Sequence, residues 1–175
     1  MNLVVLTGPP GAGKSTVAHA LVARFDRSVL VEGDAFFAFL ASGAVKPWLP
    51  ESQTQNEVVT RAAASAARQY AEGGYTTIYD GIVGPWFLPT FVAAAGLDGV
   101  HYVMLMPSVE TCLQRVATRT NHGFFDASAV RKMHDEFARA EIDPRHVMVD
   151  PPSVDATVEI IASGIADQSF VYLSA

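Results

Sequence analysis

The chain holds a single cysteine, Cys112, among its 175 residues, so no intrachain disulfide can form and nothing points to an oxidising compartment. A reducing, cytoplasmic setting is the expectation. Positive charge is scarce as well. Against 18 Asp and Glu stand 12 Lys and Arg, a formal net charge of −6, which repels a nucleic-acid backbone unless the few cations share one groove. No nucleic-acid partner is expected. Long apolar runs are missing too: the longest uncharged stretch, Gly81 to Leu97, has 17 residues and is broken by Gly84, Pro85, Pro89 and Gly96. A membrane-spanning helix takes about 20 largely apolar residues, so no membrane segment is expected. Met1-Asn2 leads straight into Leu3 with no basic patch, which argues against a secretory signal. His101, His122, His134 and His146 show no ligand spacing with Cys112 or with one another, which speaks against a zinc site.

What is present is half hydrophobic, enough to bury a core as one domain over residues 1–175. Short runs rich in Val, Ile and Tyr alternate with helix-period segments. Strands are expected at Leu3–Thr7, Val29–Glu32, Thr76–Asp80, His101–Met106 and His146–Asp150. Helices are expected at Lys14–Phe25, from about Ser52 to Glu72, after Ser108, around Val130 to Phe137, and from Val154 to Ile165. Ser52 and Gln55 fit a capping box for the long helix, although Thr54 and Glu57 offer the same pattern. Such alternation excludes hairpins and predicts a three-layer α/β/α fold with a five-stranded parallel sheet. Ligands then bind beyond the carboxyl ends of the strands.

Directly after the first strand stands Gly8-Pro9-Pro10-Gly11-Ala12-Gly13-Lys14-Ser15, followed by Thr16 and a helix. This satisfies G-x-x-x-x-G-K-[ST] in its strand-loop-helix context. Glycines let successive N–H groups curl around phosphate oxygens at a positive helix end. Lys14 then reaches the β/γ-phosphates and the Ser15 hydroxyl meets magnesium. The chain resembles the P-loop nucleoside triphosphate hydrolase superfamily, which implies ATP and Mg2+ as cofactors.

Within that superfamily, Asp80 ends its strand as a magnesium-holding carboxylate does, yet Gly81 stands where a motor carries a water-activating glutamate, and Asn-Lys-x-Asp is absent. Both features favour transfer to something other than water. Asp34 follows the second strand, expected beside the cradle, where it either accepts a proton from an acceptor hydroxyl or caps the helix that begins at Ala35. Arg115 and Arg119 share a helix face ahead of the polar segment Thr120–Phe125. They are read either as a lid, spanning about 120–130, that closes on ATP, or as cations complementing a helix end. In this order the motifs resemble the small-molecule kinase branch, with gluconate kinases, shikimate kinases and chloramphenicol phosphotransferases. That resemblance implies catalytic roles for Lys14, Asp34, Arg115 and Arg119. The segment after Asp80 departs from the gluconate and shikimate kinase patterns, so neither substrate is carried over.

Between Ala35 and Tyr79 the only cations are Lys46, Arg61 and Arg68. A nucleotide acceptor usually needs several arginines around its phosphate. A neutral or singly charged hydroxylated acceptor with an apolar face fits better, with Asp34, Phe37, Trp48, Asp80 and Trp86 as its candidate contacts. Phe37 and Leu40 are expected to bury, whereas Trp48 and Trp86 are either pocket walls or core. Gln55 and Asn56 either hydrogen-bond the acceptor or lie exposed. The expected activity is an ATP-dependent kinase, monomeric or homodimeric, acting on a small-molecule hydroxyl. A nucleoside, nucleotide or polynucleotide 5′-kinase and a regulatory ATP-binding module are the alternatives.

Overall fold

The computed structural model describes residues 3–118 and 126–173. Six strands form one sheet: β1 (Leu3–Thr7), β2 (Ser28–Glu32), β3 (Thr76–Asp80), β4 (Gly99–Met106), β5 (Val147–Val149) and β6 (Val171–Leu173). The helices are α1 (Lys14–Val22), α2 (Gly33–Ala38), α3 (Gln53–Glu72), α4 (Leu88–Ala95), α5 (Val109–Thr118), α6 (Ala127–Arg139) and α7 (Val154–Ala166).

The first five strands are parallel in the order β2-β3-β1-β4-β5. β2 therefore does not adjoin β1, as the sequence reading expected, because β3 runs between them. β3 is buried from Thr77 to Asp80, whereas in β2 only Val31 is buried, as expected of an edge strand with one side open. β6 adds a short antiparallel strand that pairs Gly99–His101 with Val171–Leu173. Its three residues follow a four-residue turn after the last helix and carry too short a period to read from sequence alone.

Alternate residues of each strand feed opposite layers. On one face Leu3, Val5, Tyr79, Tyr102 and Met104 pack against α3 and α4, with Phe137 of α6 joining them. On the other, Val4, Leu6, Ile78, Val103 and Leu105 meet Val17, Ala18 and Leu21 of α1 and Val158 and Ile161 of α7. A third, smaller cluster joins α5 to α6 through Cys112, Val116 and Val130. Cys112 is thus the small buried hydrophobe that its place in an apolar stripe predicts.

Local chemistry sets several helix ends. Ser108 caps α5, its Oγ accepting from the Thr111 N–H at 3.3 Å. Asp126 caps α6 by accepting from the N–H groups of Ser128 and Ala129. Ser52 does not form the expected capping box: its hydroxyl donates to the carbonyls of Pro47 and Leu49. The Gln55 side chain instead spans the backbone of Val45, accepting from its N–H and donating to its C=O, both at 2.8 Å. Helix α1 also stops at Val22, short of Phe25, which packs as a half-buried residue below it.

A buried polar chain holds the carboxyl edge of the sheet. The Val83 N–H donates to Thr7 Oγ1 at 2.9 Å, and the Tyr102 hydroxyl donates to the Val83 carbonyl at 2.8 Å. Both backbone groups of one loop residue are thereby satisfied, which fixes the segment that follows Asp80. Tyr102→Phe leaves the Val83 carbonyl without its donor in a buried place, so a loss of about 1–3 kcal/mol is expected in urea unfolding. An unchanged denaturation midpoint would show that water replaces the phenol there.

Candidate active site

The cradle begins where β1 ends. From Thr7 the backbone turns through Gly8 and Gly11, at φ 141° and 83°, and enters α1 at Lys14. Both glycines stand in the left-handed region, and both touch other backbone. A Cβ on Gly8 would collide with the Leu105 carbonyl, and one on Gly11 with the backbone of Cys112. The loop is thus folded tightly between the end of β4 and the start of α5. Gly8, Pro9, Gly11 and Ala12 are buried, Pro10, Gly13, Lys14 and Ser15 are half-buried, and Thr16 is exposed.

Two cations lie along this loop. Lys14 Nζ donates to the Pro9 carbonyl at 3.2 Å. Arg115 Nη1 donates to the Ala12 carbonyl at 3.1 Å and more weakly to Gly11 at 3.4 Å. Of the arginine pair singled out in the sequence, Arg115 is therefore at the rim of the cradle rather than facing away as a solvated helix end. Arg119 and the segment Thr120–Phe125 lie outside the described residues.

Asp80 closes β3 in the middle of the sheet, paired with Leu6 on one side and with Glu32 on the other. Burial pushes its carboxyl above the ordinary range; Lys14 and a hydrogen bond from Ser15 pull it back, while Asp34 and Glu32 push it further up. One carboxylate thus sits within reach of Lys14 and Ser15, the two side chains of the cradle motif that the sequence assigns to phosphate and magnesium. Asp34 stands one strand further from the cradle than expected, at the edge of the sheet. It is the second residue of α2, whose cap position belongs to Glu32, so the capping alternative does not describe it. It is exposed, and its field acts on both Asp80 and Tyr79.

In the aromatic segment, Phe37 and Leu40 are half-buried instead of buried, because α2 has only six residues and ends before it can sink its apolar side. Trp86 remains 42% exposed and leans on Phe137 with ring centroids 5.0 Å apart. Trp48 is half-buried, and its carbonyl accepts from Lys132 Nζ at 3.1 Å. Both tryptophans thereby touch α6. Gln55 and Asn56 turn inward to the loop that carries Trp48, with Asn56 Nδ2 donating to the Pro47 carbonyl at 2.7 Å. They are neither simply exposed nor pointed at a ligand. Lys132 went unnoticed in the sequence; it lies 84 residues from Trp48, and no local pattern signals such a contact.

Asp80→Asn offers a direct reading of this electrostatics. The raised native pKa means that the acid contributes its full stability at low pH, below the unfolded value of about 3.9, and loses it as pH rises through the native value. In nucleotide-free protein the substitution should therefore raise the melting temperature at pH 7. The gain should vanish near pH 4, where Asp80 is already protonated. Equal melting of the two proteins at pH 7 would mean that the carboxylate is not penalised.

The pattern of donors suits a nucleotide. Left-handed glycines open backbone N–H groups inward, Lys14 and Arg115 bring positive charge, and Ser15 with Asp80 offers hard oxygen ligands of the kind magnesium takes. Among the described residues no group of three His, Cys, Asp or Glu could hold a metal, so the remaining ligands of such an ion would come from phosphate and water. No helix of the described residues is long and apolar enough to cross a membrane.

Comparison with solved structures finds the same fold. A sugar kinase of Janibacter sp. is 19% identical, with a TM-score of 0.71 and 95% of each chain covered. A gluconokinase of Sinorhizobium meliloti is 17% identical with a TM-score of 0.64, over 96% of this chain and 93% of that one. A shikimate kinase of Acinetobacter baumannii, solved with shikimate, is 19% identical with a TM-score of 0.59, over 96% and 94%. No curated protein sequence matches the chain. The model of the AAA domain family matches residues 3–140. With the cradle, the strand order and Asp80 in place, the chain belongs to the AAA domain family and has the P-loop nucleoside triphosphate hydrolase fold in its kinase-like form.

Proposed function

We propose that the protein is an ATP- and magnesium-dependent kinase that phosphorylates a hydroxyl group of a small molecule in a reducing, cytoplasmic setting. The observation that carries this reading is the placing of two carboxylates with different surroundings. Asp80 is buried beside Lys14 and Ser15, and Asp34 is exposed at the edge strand toward the aromatic segment. Bound ATP with Mg2+ would supply the transferable γ-phosphoryl group and part of the charge neutralisation. Lys14, released from the Pro9 carbonyl, follows the γ-phosphate, while Ser15 and Asp80 hold the magnesium side. Arg115 covers the outer edge, and Arg119 four residues on is assigned to the same lid. Asp34 takes the acceptor's proton as the acceptor oxygen bonds to γ-phosphorus and the bond to ADP breaks.

The acceptor side supports a molecule without a phosphate of its own. Arg61 pairs with Glu57 at 3.7 Å and Arg68 with Glu72 at 2.8 Å, both on the exposed side of α3. Lys46 lies over Trp48 at 5.7 Å. None of these forms the arginine fork that a nucleotide phosphate would call for. Phe37, Trp48 and Trp86 supply apolar surface for the same molecule, the arrangement expected of a binding site with few polar groups.

Incubation with ATP and a panel of sugars, sugar acids and hydroxylated antibiotics, read by mass spectrometry, should give one compound heavier by a phosphoryl group. ATP hydrolysis that no compound accelerates would favour a regulatory nucleotide-binding module. Lys14→Ala should abolish ATP consumption, since it removes the charge that accompanies the phosphoryl group. Asp34→Asn should leave ATP affinity and melting temperature unchanged and lower acceptor-dependent turnover by about a hundredfold, the lower end of general-base effects. Normal turnover in Asp34→Asn would transfer the base role to Asp80.

A further inference from the structure

Tyr79 carries a hydroxyl that the fold itself does not use. It is the penultimate residue of β3, and its side chain lies on the α3 and α4 side of the sheet, opposite Asp80. The ring is 3% exposed and packs on Phe91 with centroids 4.9 Å apart, a contact that phenylalanine would make equally well. The hydroxyl reaches past this packing to the carboxyl end of the sheet. There it meets Gly33 and Gly81, the residue before Asp34 and the residue after Asp80. A Cβ on Gly33 would fall on the phenol oxygen, and one on Gly81 would stand 2.7 Å from it. Two glycines next to the two carboxylates thus leave the space through which the hydroxyl emerges.

No hydrogen bond from this hydroxyl is found among the described residues. The contrast with Tyr102 is direct, since that phenol donates to the Val83 carbonyl. The hydroxyl is not among the buried polar atoms that lack a partner, so it keeps an opening at this end of the sheet where water or a ligand can bond it. Burial, with the nearby charges of Asp34 and Asp80, holds the phenol protonated far above neutral pH. A phenol both donates and accepts, and at an opening bordered by the residues next to Asp34 and Asp80 it has its proton to give.

Resting on the kinase reading above, we propose that Tyr79 positions the phosphoryl acceptor, its hydroxyl donating a hydrogen bond to the attacking oxygen whose proton goes to Asp34. An alcohol oxygen has two lone pairs and one proton. One lone pair accepts from Tyr79, the other forms the bond to γ-phosphorus as the bond to ADP breaks, and the proton passes to Asp34. Tyr79 itself neither gains nor loses a proton. Water can occupy the same place, so slow hydrolysis of ATP in the absence of any acceptor uses the same contact.

The test uses the full chain, with water as the acceptor. Tyr79→Phe should lower basal Mg-ATP hydrolysis by about tenfold, the scale of one hydrogen bond in a buried site. Affinity for a non-hydrolysable ATP analogue and the melting temperature should stay as in the unaltered protein. 3-Fluorotyrosine at position 79 keeps the hydroxyl and should restore the rate, which separates loss of the donor from loss of packing. Unchanged hydrolysis in Tyr79→Phe would overturn the proposal, and so would an equal fall with 3-fluorotyrosine. Lys14→Ala distinguishes the two levels of inference. If it abolishes hydrolysis while Tyr79→Phe does nothing, only the role of Tyr79 falls. If it leaves hydrolysis intact, the kinase reading falls with it, whereas an unaltered protein that consumes no ATP without an acceptor overturns the placing of water by Tyr79 and leaves the kinase reading to the acceptor panel.

Discussion

The close approach of three backbone segments, with no side chain between them, is the constraint on which the rest of this site depends. The cradle loop rests directly on the end of β4 and the first turns of α5, at Gly8 over Leu105 and at Gly11 over Cys112. A single methyl group at either place would push the loop off the sheet. Because Lys14 begins α1 at the end of that loop and Arg115 stands one turn beyond Cys112 on α5, the same contact brings both cations to carbonyls of one loop, Lys14 to Pro9 and Arg115 to Gly11 and Ala12. Packing of main chain thus sets the positions of the charged groups.

That arrangement also explains the resting electrostatics. Glu32 and Asp80 end β2 and β3, Asp34 lies in the first turn of α2, and of these carboxylates Asp80 is the one forced into low dielectric. Lys14 and Ser15 offset the burial only in part. Without further positive charge the site is strained toward protonation, and in the proposed kinase a divalent cation brought in with the nucleotide would relieve it. The buried clamp of Thr7, Val83 and Tyr102 keeps the loop after Asp80 from relaxing away from this crowding.

The aromatic side of the site is built differently, on short elements tied together by side chains. Helix α2 is too short to bury its phenylalanines, and the segment after it is held by Gln55 and Asn56 from α3 and by Lys132 from α6. Surface hydrogen bonds of this kind can be exchanged for contacts to a ligand at small cost. The cradle is held by main-chain packing, whereas the aromatic side is held by side-chain hydrogen bonds. This division suits a fold whose solved relatives carry names of different sugar and acid kinases.

Much of this was legible in the sequence, because the relevant signals are local. The cradle is a contiguous run of residues in which glycine, lysine and serine each have a fixed task, and the alternation of strand and helix periods gives the parallel sheet directly. Capping by Ser108 and burial of Cys112 follow from neighbours within a turn of helix. Tertiary structure alone decided the order of strands, which removed β2 from the side of β1, and the inward use of Gln55, since an amide at that spacing serves a cap or a distant backbone equally well. It also decided that the Tyr79 hydroxyl comes out between Gly33 and Gly81. The reason is the same in each case: these outcomes depend on which surfaces meet across tens of residues, and a chain read one window at a time carries the chemistry of each residue but not the identity of its neighbour in space.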